Sequence, residues 1–482
     1  MWHHEPSAVV QAVFAGRAAT DDGKGFVPSA GAADGVVALV LDTTSFYAEA
    51  GGQIFDTGLL TSACGAKSLR VDQCTTHGGF VLHTGVVENG TIAVGDKLNC
   101  MVDYARRGYV APNHTMTHAL NYALREVLLG TGERGSAKVD PAEDKVNQKG
   151  SSCDHERLRF DFSWDKPVTP AQLGRVEAIV QELIDEKLDV FASVEPLEAA
   201  RTIHGLRIVQ GERYPDPVRI LSIGADIAKM LDDPKSAEWA KYSVEFCGGT
   251  HITKTSDAET FALLEESGVA KGIRRITAVT REKAREAIAE GEALAERVGR
   301  TEALAGQPAE LEKALKVLAT DLDKAVAPAA VKHALRSRVE ALQKTLLELK
   351  KKASKEAEAA ALKDAKALAA GAKPGELVAS RIDFGSDGKL ASKLGKEMEK
   401  ANKDASFALF TADEAAGKFS VFVFVCKGHQ DEGLDATKLV AAVLQVCGGG
   451  KSGGRAAGAN GTVESLAQLD AAIAAAKAFT WK

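Results

Sequence analysis

The stretch NHTMTHALNYALR, residues 113–125, marks the point where the period of the chain changes. Its apolar positions Leu120 and Leu124, continued by Val127 and Leu128, fall on one face of a helix that Asn113 can cap. Upstream, the apolar residues come in short β-rich runs bounded by Gly, Asp and Asn clusters: VVALVLD (36–42), SLRVDQC (68–74), GFVLHTGVV (79–87) and DKLNCMVD (96–103). These predict the strands of a small β-barrel or sandwich, with VVALVLD as the first strand. Downstream, the strands RLRFDF (157–162), PVRILSIG (217–224), TFALLEES (260–267) and GIRRITAVT (272–280), with a helix near Leu173–Leu188, complete an α+β domain that closes near Thr280.

Residues 281–372 are dominated by Ala, Leu, Lys and Glu. Leu311, Leu315, Leu318, Leu322 and Ala325 keep a 4,3 spacing, as do Leu335, Val339, Leu342, Leu346 and Leu349, with Pro328 between the two sets. Two long helices folded back on each other are predicted, serving as a spacer or as a coiled coil through which the chain dimerises. After Pro374, LVASRIDF (377–384) and the pair ASFALFT (405–411) and KFSVFVFVC (418–426), joined by DEAAG, alternate with helices near 390–403, 434–446 and 465–479. A small Gly-rich α/β domain follows from that alternation. The expectation is therefore a multidomain α+β chain: a β-barrel domain (1–105), an α+β domain (106–280), a helical hairpin or coiled-coil linker (281–372) and an α/β C-terminal domain (373–482).

With 482 residues the chain needs several cores. It is 45% hydrophobic and 26% charged, as expected of a globular protein, and no run approaches the roughly 20 apolar residues of a bilayer span, so no membrane association is expected. MWHHEPSAVV at the start lacks the basic and apolar regions of a secretory signal, so a cytoplasmic location is expected, with an organelle interior as the alternative. The seven scattered cysteines do not form a secreted disulfide framework. A formal charge of −6 means that any nucleic-acid contact must come from local basic patches.

Two separated segments carry the chemistry. His114 and His118 lie one helical turn apart in NHTMTH, so their imidazoles project from one face, and Cys247 and His251 lie in EFCGGTH, a Gly-bearing turn. Two His with a Cys and a His make a four-donor set that suits zinc, whose borderline softness accepts nitrogen and thiolate together. Either half alone carries little weight, since an i,i+4 His pair is commonly structural.

With their flanks, these segments resemble the alanyl-tRNA synthetase family. The resemblance runs through TSFYAEAGGQ (44–53), NHTMTHALNYALR (113–125), NQKGS (147–151), RLRFDF (157–162), QGERYPDPVRILSIG (210–224), SVEFCGGTH (243–251) and VAKGIRRITAVT (269–280), in the family's order and approximate spacing. YPDPVR and VEFCGGTH look like the eukaryotic cytosolic branch.

The resemblance implies a zinc-dependent tRNA-editing domain that hydrolyses the ester joining serine or glycine to tRNA(Ala), with Zn2+ on His114, His118, Cys247 and His251. His251 either completes the ligand set or orients the attacking water. Gln148 matches a position associated with editing, and its amide can both donate and accept. Arg106, Arg107, Lys149, Arg157, Lys271, Arg274 and Arg275 are candidates for phosphate contacts as a patch. Gly51 and Gly52 let the backbone approach the tRNA end or the pocket, or form an ordinary turn.

The need for such a site has its own logic. A pocket sized for alanine admits glycine and cannot strongly reject serine, so a second site must destroy the errors. No ATP-dependent alanylation is expected from this chain alone, and both a free-standing trans-editing protein of the AlaX kind and a segment of a longer synthetase fit the pattern. A non-catalytic RNA- or protein-binding remnant is the rival from another class. The GKS within CGGGKSGG (447–454) follows a helix and lacks the first P-loop glycine, so nucleotide binding there is rejected. GERGSAKVDPAEDKV (132–146) is read as an insertion before NQKGS, and the C-terminal run GGGKSGGRAAGANGT stands where the family has a similar Gly-rich stretch but lacks its usual Gln.

Overall fold

The computed structural model describes residues 4–16, 25–137, 145–385, 387–414 and 416–481. Part of the insertion read at 132–146 lies outside them. The chain divides into two compact units, Met1–Leu304 with Lys313–Ala341 and Ala305–Glu312 with Leu342–Lys482.

The first unit begins with a barrel. Its strands are β1 (Ser7–Phe14), β2 (Phe26–Val27), β3 (Ser29–Gly31), β4 (Val36–Leu41), β5 (Gly58–Thr61), β6 (Ser68–His77), β7 (Phe80–Asn89), β8 (Thr91–Ala93) and β9 (Lys97–Val102). The order β1-β4-β7-β6-β5-β9 closes on itself through β9–β1 pairing, while β2 extends β1 and β3 pairs with β8. VVALVLD is thus not the first strand. SAVVQAVF precedes it and closes the ring, burying Ala8, Val10 and Val13, because a barrel removes its edges only by pairing first strand to last. His83 is buried in this barrel, with Nε2 2.7 Å from Thr44 Oγ1 and Nδ1 3.1 Å from the Leu39 carbonyl.

The helix α1 (Tyr104–Leu128) starts a full turn and more before Asn113. Asp103 caps it by accepting from Arg106 N at 2.9 Å, whereas the Asn113 amide donates to the Asp154 carbonyl (2.9 Å) and accepts from Thr280 Oγ1 (2.8 Å). The helix accommodates Pro112 in its interior. Inside the helix it lacks an N–H for the Gly108 carbonyl, and Arg281 Nη1 supplies that hydrogen bond at 2.6 Å.

Strands β10 (Gln148–Cys153) and β11 (Leu158–Ser163), helix α2 (Pro170–Asp185), strand β12 (Val190–Glu195), helix α3 (Leu197–Ala200), strand β13 (Val218–Ile223), helix α4 (Ile227–Asp232), and strands β14 (Ser243–Phe246), β15 (Phe261–Ala270) and β16 (Ile273–Thr280) follow. They form a four-stranded sheet β10-β11-β16-β15 and a three-stranded sheet β12-β13-β14. A core including Leu120, Leu124, Phe160, Val176, Ile179 and Ile276 packs α1 and α2 against the larger sheet.

Helices α5 (Arg281–Glu302), α6 (Pro308–Lys324) and α7 (Ala329–Gly371) come next. Pro328 stands in the α6–α7 turn, as the two 4,3 seams predict. Antiparallel pairing shows within each unit, as Arg336–Asp323 (3.2 Å) in the first and Lys350–Glu312 (2.7 Å) in the second.

The second unit holds β17 (Leu377–Arg381), α8 (Gly388–Ala401), β18 (Ser406–Asp413), β19 (Lys418–Phe424), α9 (Lys427–Asp431), α10 (Ala436–Val446), β20 (Lys451–Arg455), β21 (Gly458–Val463) and α11 (Leu469–Lys477). The sheet order is β17-β18-β19-β21-β20, with β17 and β18 parallel across α8 and the other pairs antiparallel. The Gly-rich run is a strand hairpin, not a phosphate loop.

Candidate metal centre

α1 presents His114 and His118 on one face, and β14 delivers Cys247 and, one tight turn later, His251 opposite them. The donor atoms of these four residues lie within 4.8 Å of one another. Cys247 Sγ is 3.4 Å from His114 Nε2 and 3.3 Å from His251 Nε2.

The far side of each imidazole is fixed by a different partner. His114 Nδ1 lies 2.7 Å from Gln53 Oε1, a barrel residue whose Oε1 also accepts from Thr250 N (2.8 Å), so the ring must donate. His118 Nδ1 lies 2.5 Å from Glu245 Oε2. His251 Nδ1 lies 3.2 Å from Thr115 Oγ1, which gives its own proton to the Ala111 carbonyl and can only accept. All three rings therefore carry hydrogen on Nδ1 and offer Nε2 to the centre, the arrangement that orients metal-binding histidines. His118 Nε2 is buried and has no hydrogen-bond partner among the described residues. Such an orphan in a native interior calls for an explanation, and a metal ion is one that the donor set fits.

The charges of the metal-free centre follow from the same contacts. Burial opposes ionisation of the Cys247 thiol, but His114, His251 and His118 hold its pKa well below the usual thiol value. Gly249 N also donates to the sulfur at 3.4 Å. Burial disfavours charge on His118, yet Glu245 and Cys247 outweigh it and push its pKa up to about 10, while burial pulls His251 down to about 3. Arg219 Nη1 pins the turn by donating to the carbonyls of Cys247 (2.9 Å) and Gly249 (2.7 Å). Gly249 is there for space: a Cβ would sit 2.1 Å from His114 Cε1.

His114, His118 and Cys247 line a 540 Å³ cavity that also reaches Gln148, Lys149, Gly51 and Gly52. Gln148 Nε2 donates to Ser151 Oγ at 3.1 Å. Gly51 and Gly52 have φ of 58° and 86°, and a Cβ on Gly52 would meet the Ser151 carbonyl oxygen at 2.2 Å, so this turn docks the barrel against β10. The basic residues divide. Lys149, Arg157 and Lys271 are exposed. Arg106 is half-buried and donates to the Phe55 carbonyl, and Arg107 is buried against Asp56 and the Ser45 carbonyl. Arg274 pairs with Glu266, and Arg275 with Asp161 at 2.7 Å. Gln53, Glu245, Thr115 and Arg219 were not singled out from sequence; all four stood inside quoted motifs, but the contacts of Gln53 and Glu245 span 61 and 127 residues.

Four stretches match known families: residues 16–106, tRNA synthetases class II (A); 218–277, Threonyl and Alanyl tRNA synthetase second additional domain; 284–349, Alanine-tRNA ligase domain; and 375–482, DHHA1 domain. The protein named "Alanine-tRNA ligase, cytoplasmic" of Dictyostelium discoideum is 34% identical over 99% of this chain and 48% of its own length. "Alanine-tRNA ligase, mitochondrial" of Saccharomyces cerevisiae is 36% identical over 90% and 43%. The crystal structure of the C-Ala domain from Aquifex aeolicus alanyl-tRNA synthetase covers 22% of this chain and 93% of itself at 17% identity, with a TM-score of 0.19. The chain spans about half the length of the curated relatives it matches. No helix among the described residues is long and apolar enough to cross a membrane. Through the segment it spans, the chain belongs to the alanyl-tRNA synthetase family.

Proposed function

We propose that this chain is an aminoacyl-tRNA deacylase that hydrolyses Ser-tRNA(Ala) and Gly-tRNA(Ala), with zinc held by His114, His118, Cys247 and His251. The observation that carries the reading is the convergence of three Nδ1-tethered imidazoles and an acidified thiol, of which His114, His118 and Cys247 line a cavity large enough for an aminoacyl ester. Three nitrogens and a thiolate suit zinc better than a hard cation. Zinc bound there would supply Lewis acidity to the ester carbonyl.

The chain's own groups do the rest. Gln53, Glu245 and Thr115 hold the imidazoles in one tautomer and orientation. Gln148, beside the centre but not in it, orients the ester through its amide. The exposed Lys149 on the cavity, together with the exposed Arg157 and Lys271, contacts phosphates of the tRNA. Domain limits at residues 105, 280 and 372, assembly through the helical segment or the C-terminal domain, and a cytoplasmic or organelle-interior site of action belong to the same proposal.

The test is a deacylation time course on Ser-tRNA(Ala) and Ala-tRNA(Ala) with the native chain and Gln148→Ala, zinc being measured on the same samples. The native chain should hydrolyse the seryl ester on the order of 10² faster than the alanyl ester. Gln148→Ala should lose rate and keep zinc. A zinc-loaded native chain that binds tRNA and leaves Ser-tRNA as long-lived as buffer does would end the reading.

A further inference from the structure

Two of the three non-glycine residues with positive φ among the described residues, Glu259 (59°) and Arg281 (56°), meet at the joint where β16 passes into α5. The left-handed region suits glycine, and a residue with a Cβ stays there only when its surroundings hold it. Arg281 is held by backbone and side chain alike. Its N–H donates to the Thr260 carbonyl at 3.0 Å, and Nε pairs with Glu259 Oε1 at 3.0 Å. Cζ lies 4.9 Å from the centre of the Tyr109 ring, and Nη1 donates to the Gly108 carbonyl at 2.6 Å. Arg285, one turn along α5, grips Glu259 a second time. All of these residues lie in the first compact unit.

The Gly108 contact is the one that reaches the metal centre. Proline in a helix interior leaves the carbonyl four residues back without its donor, and its ring presses on that carbonyl, so the helix direction is least determined there. In α1 that carbonyl belongs to Gly108, and the residues after Pro112 are Asn113 and the ligand His114. The same joint holds Asn113, since Thr280 Oγ1, directly before Arg281 in the chain, donates to its Oδ1 at 2.8 Å. The turn that carries His114 is therefore fixed on both sides of Pro112, by Arg281 before it and by Thr280 after it. Without the guanidinium, Pro112 alone would set the angle between the two halves of α1. His114 and His118 would swing with the second half, whereas Cys247 and His251 stand on another segment whose turn Arg219 pins. Metal–ligand distances tolerate only about 0.2 Å, so a small change of angle suffices to spoil the set.

We propose that Arg281 is a positioning residue for the metal centre: its guanidinium replaces the hydrogen bond that Pro112 removes, and so sets the angle at which α1 presents His114 and His118. The assignment rests on the four-ligand centre of the proposed function and is independent of which ester that centre cleaves. It also gives the left-handed arginine a reason, because glycine would adopt the backbone without strain but could not reach Gly108.

The experiment is a cycle on the full chain: native, Arg281→Met, Pro112→Ala and the double variant. Met keeps the reach of the side chain and donates nothing, while Ala at position 112 restores the backbone N–H that Gly108 lacks. Each chain is titrated with Co2+, whose visible bands report ligand geometry, and with Zn2+ against a chromophoric chelator. Arg281→Met should lower zinc affinity about tenfold or more and shift the cobalt bands. Pro112→Ala and the double variant should keep native affinity and bands, because the guanidinium is needed only beside proline. Glu259→Gln, which removes the ion pair and leaves the Gly108 contact, should also stay native. Native affinity in Arg281→Met overturns the proposal, and so does an equal loss with and without Pro112, which would place the effect in the joint itself. Should Arg281→Met not fold, folding of the double variant supports the proposal and failure of both overturns it. Amide hydrogen exchange across residues 113–118 is followed in the metal-free chains, and Arg281→Met should speed it only where Pro112 is present. A native chain that takes up neither metal would end the four-ligand reading, and the exchange cycle would still decide whether Arg281 holds this turn of α1.

Discussion

Adjacent glycines in EFCGGTH provide a steric test of the centre. A Cβ built on Gly249 falls 2.1 Å from His114 Cε1, 2.4 Å from Nδ1 and 2.8 Å from Gln53 Oε1, while one built on Gly248 meets nothing within 4 Å. Neither glycine has a positive φ, so alanine strains neither backbone and the contrast is purely one of space. Carbon atoms in contact sit roughly 3.5 Å apart, so Gly249→Ala must drive the His114 ring back by about 1.4 Å. That displacement breaks the Gln53 contact and withdraws Nε2 from Cys247, and metal–ligand distances tolerate only about 0.2 Å. Overpacking adds about 1–3 kcal/mol to the damage. Zinc affinity should fall at least about 10–100-fold in Gly249→Ala and stay native in Gly248→Ala. Competition with a chromophoric chelator measures both, with far-UV circular dichroism as the check on folding. Equal zinc affinity in the two variants would refute the geometry.

Other outcomes follow from the same contacts. Gln53→Ala should weaken zinc binding by about 10–100-fold although Gln53 belongs to the barrel and is no ligand, a loss read by the same competition. Asp56→Ala should lower stability to urea by about 3–5 kcal/mol, because it strands the Arg107 guanidinium in the interior. Burial pulls His83 from 6.5 down to about 4, with the Leu39 carbonyl partly offsetting it. The unfolded chain therefore takes up a proton that the folded barrel refuses, so stability is lost as pH falls from about 6.5 to 4, by up to about 3 kcal/mol. Unfolding of native and His83→Gln chains across that window should show a shallower slope in the variant.

How far the sequence led depends on the range of each interaction. His114 and His118 were legible because helical spacing alone puts them on one face, and Cys247 and His251 because four residues and two glycines make a turn. The β18–β19 hairpin, α2 and β16 were legible for the same local reason. β1 was not, since SAVVQAVF alternates only briefly and its role is to meet Lys97–Asn99 at the far end of the barrel. The run 448–462 concealed a hairpin because glycines have no side chains from which to read a period, and close packing explains two of them: a Cβ on Gly461 would meet Val440 Cγ1 at 2.8 Å and one on Gly454 would meet Ala459 Cα at 2.4 Å. Asn113 resembled a cap because Asn is a favoured N-cap residue and the helical period is visible only after it, and the Asp103 cap and the Arg281 contact show how the helix runs through. The residues that tune the centre, Gln53, Glu245 and Thr115, each belong to a different segment, and no periodicity links them.

On the proposed function, this centre hydrolyses a mischarged ester through a metal held by these four side chains. The most direct measurement follows Ser-tRNA(Ala) hydrolysis by the native chain after chelation and after zinc is restored, beside Cys247→Ala treated identically. Hydrolysis should disappear with the metal, return with stoichiometric zinc, and be absent from Cys247→Ala under both conditions. Undiminished hydrolysis by the chelated chain or by Cys247→Ala would contradict it.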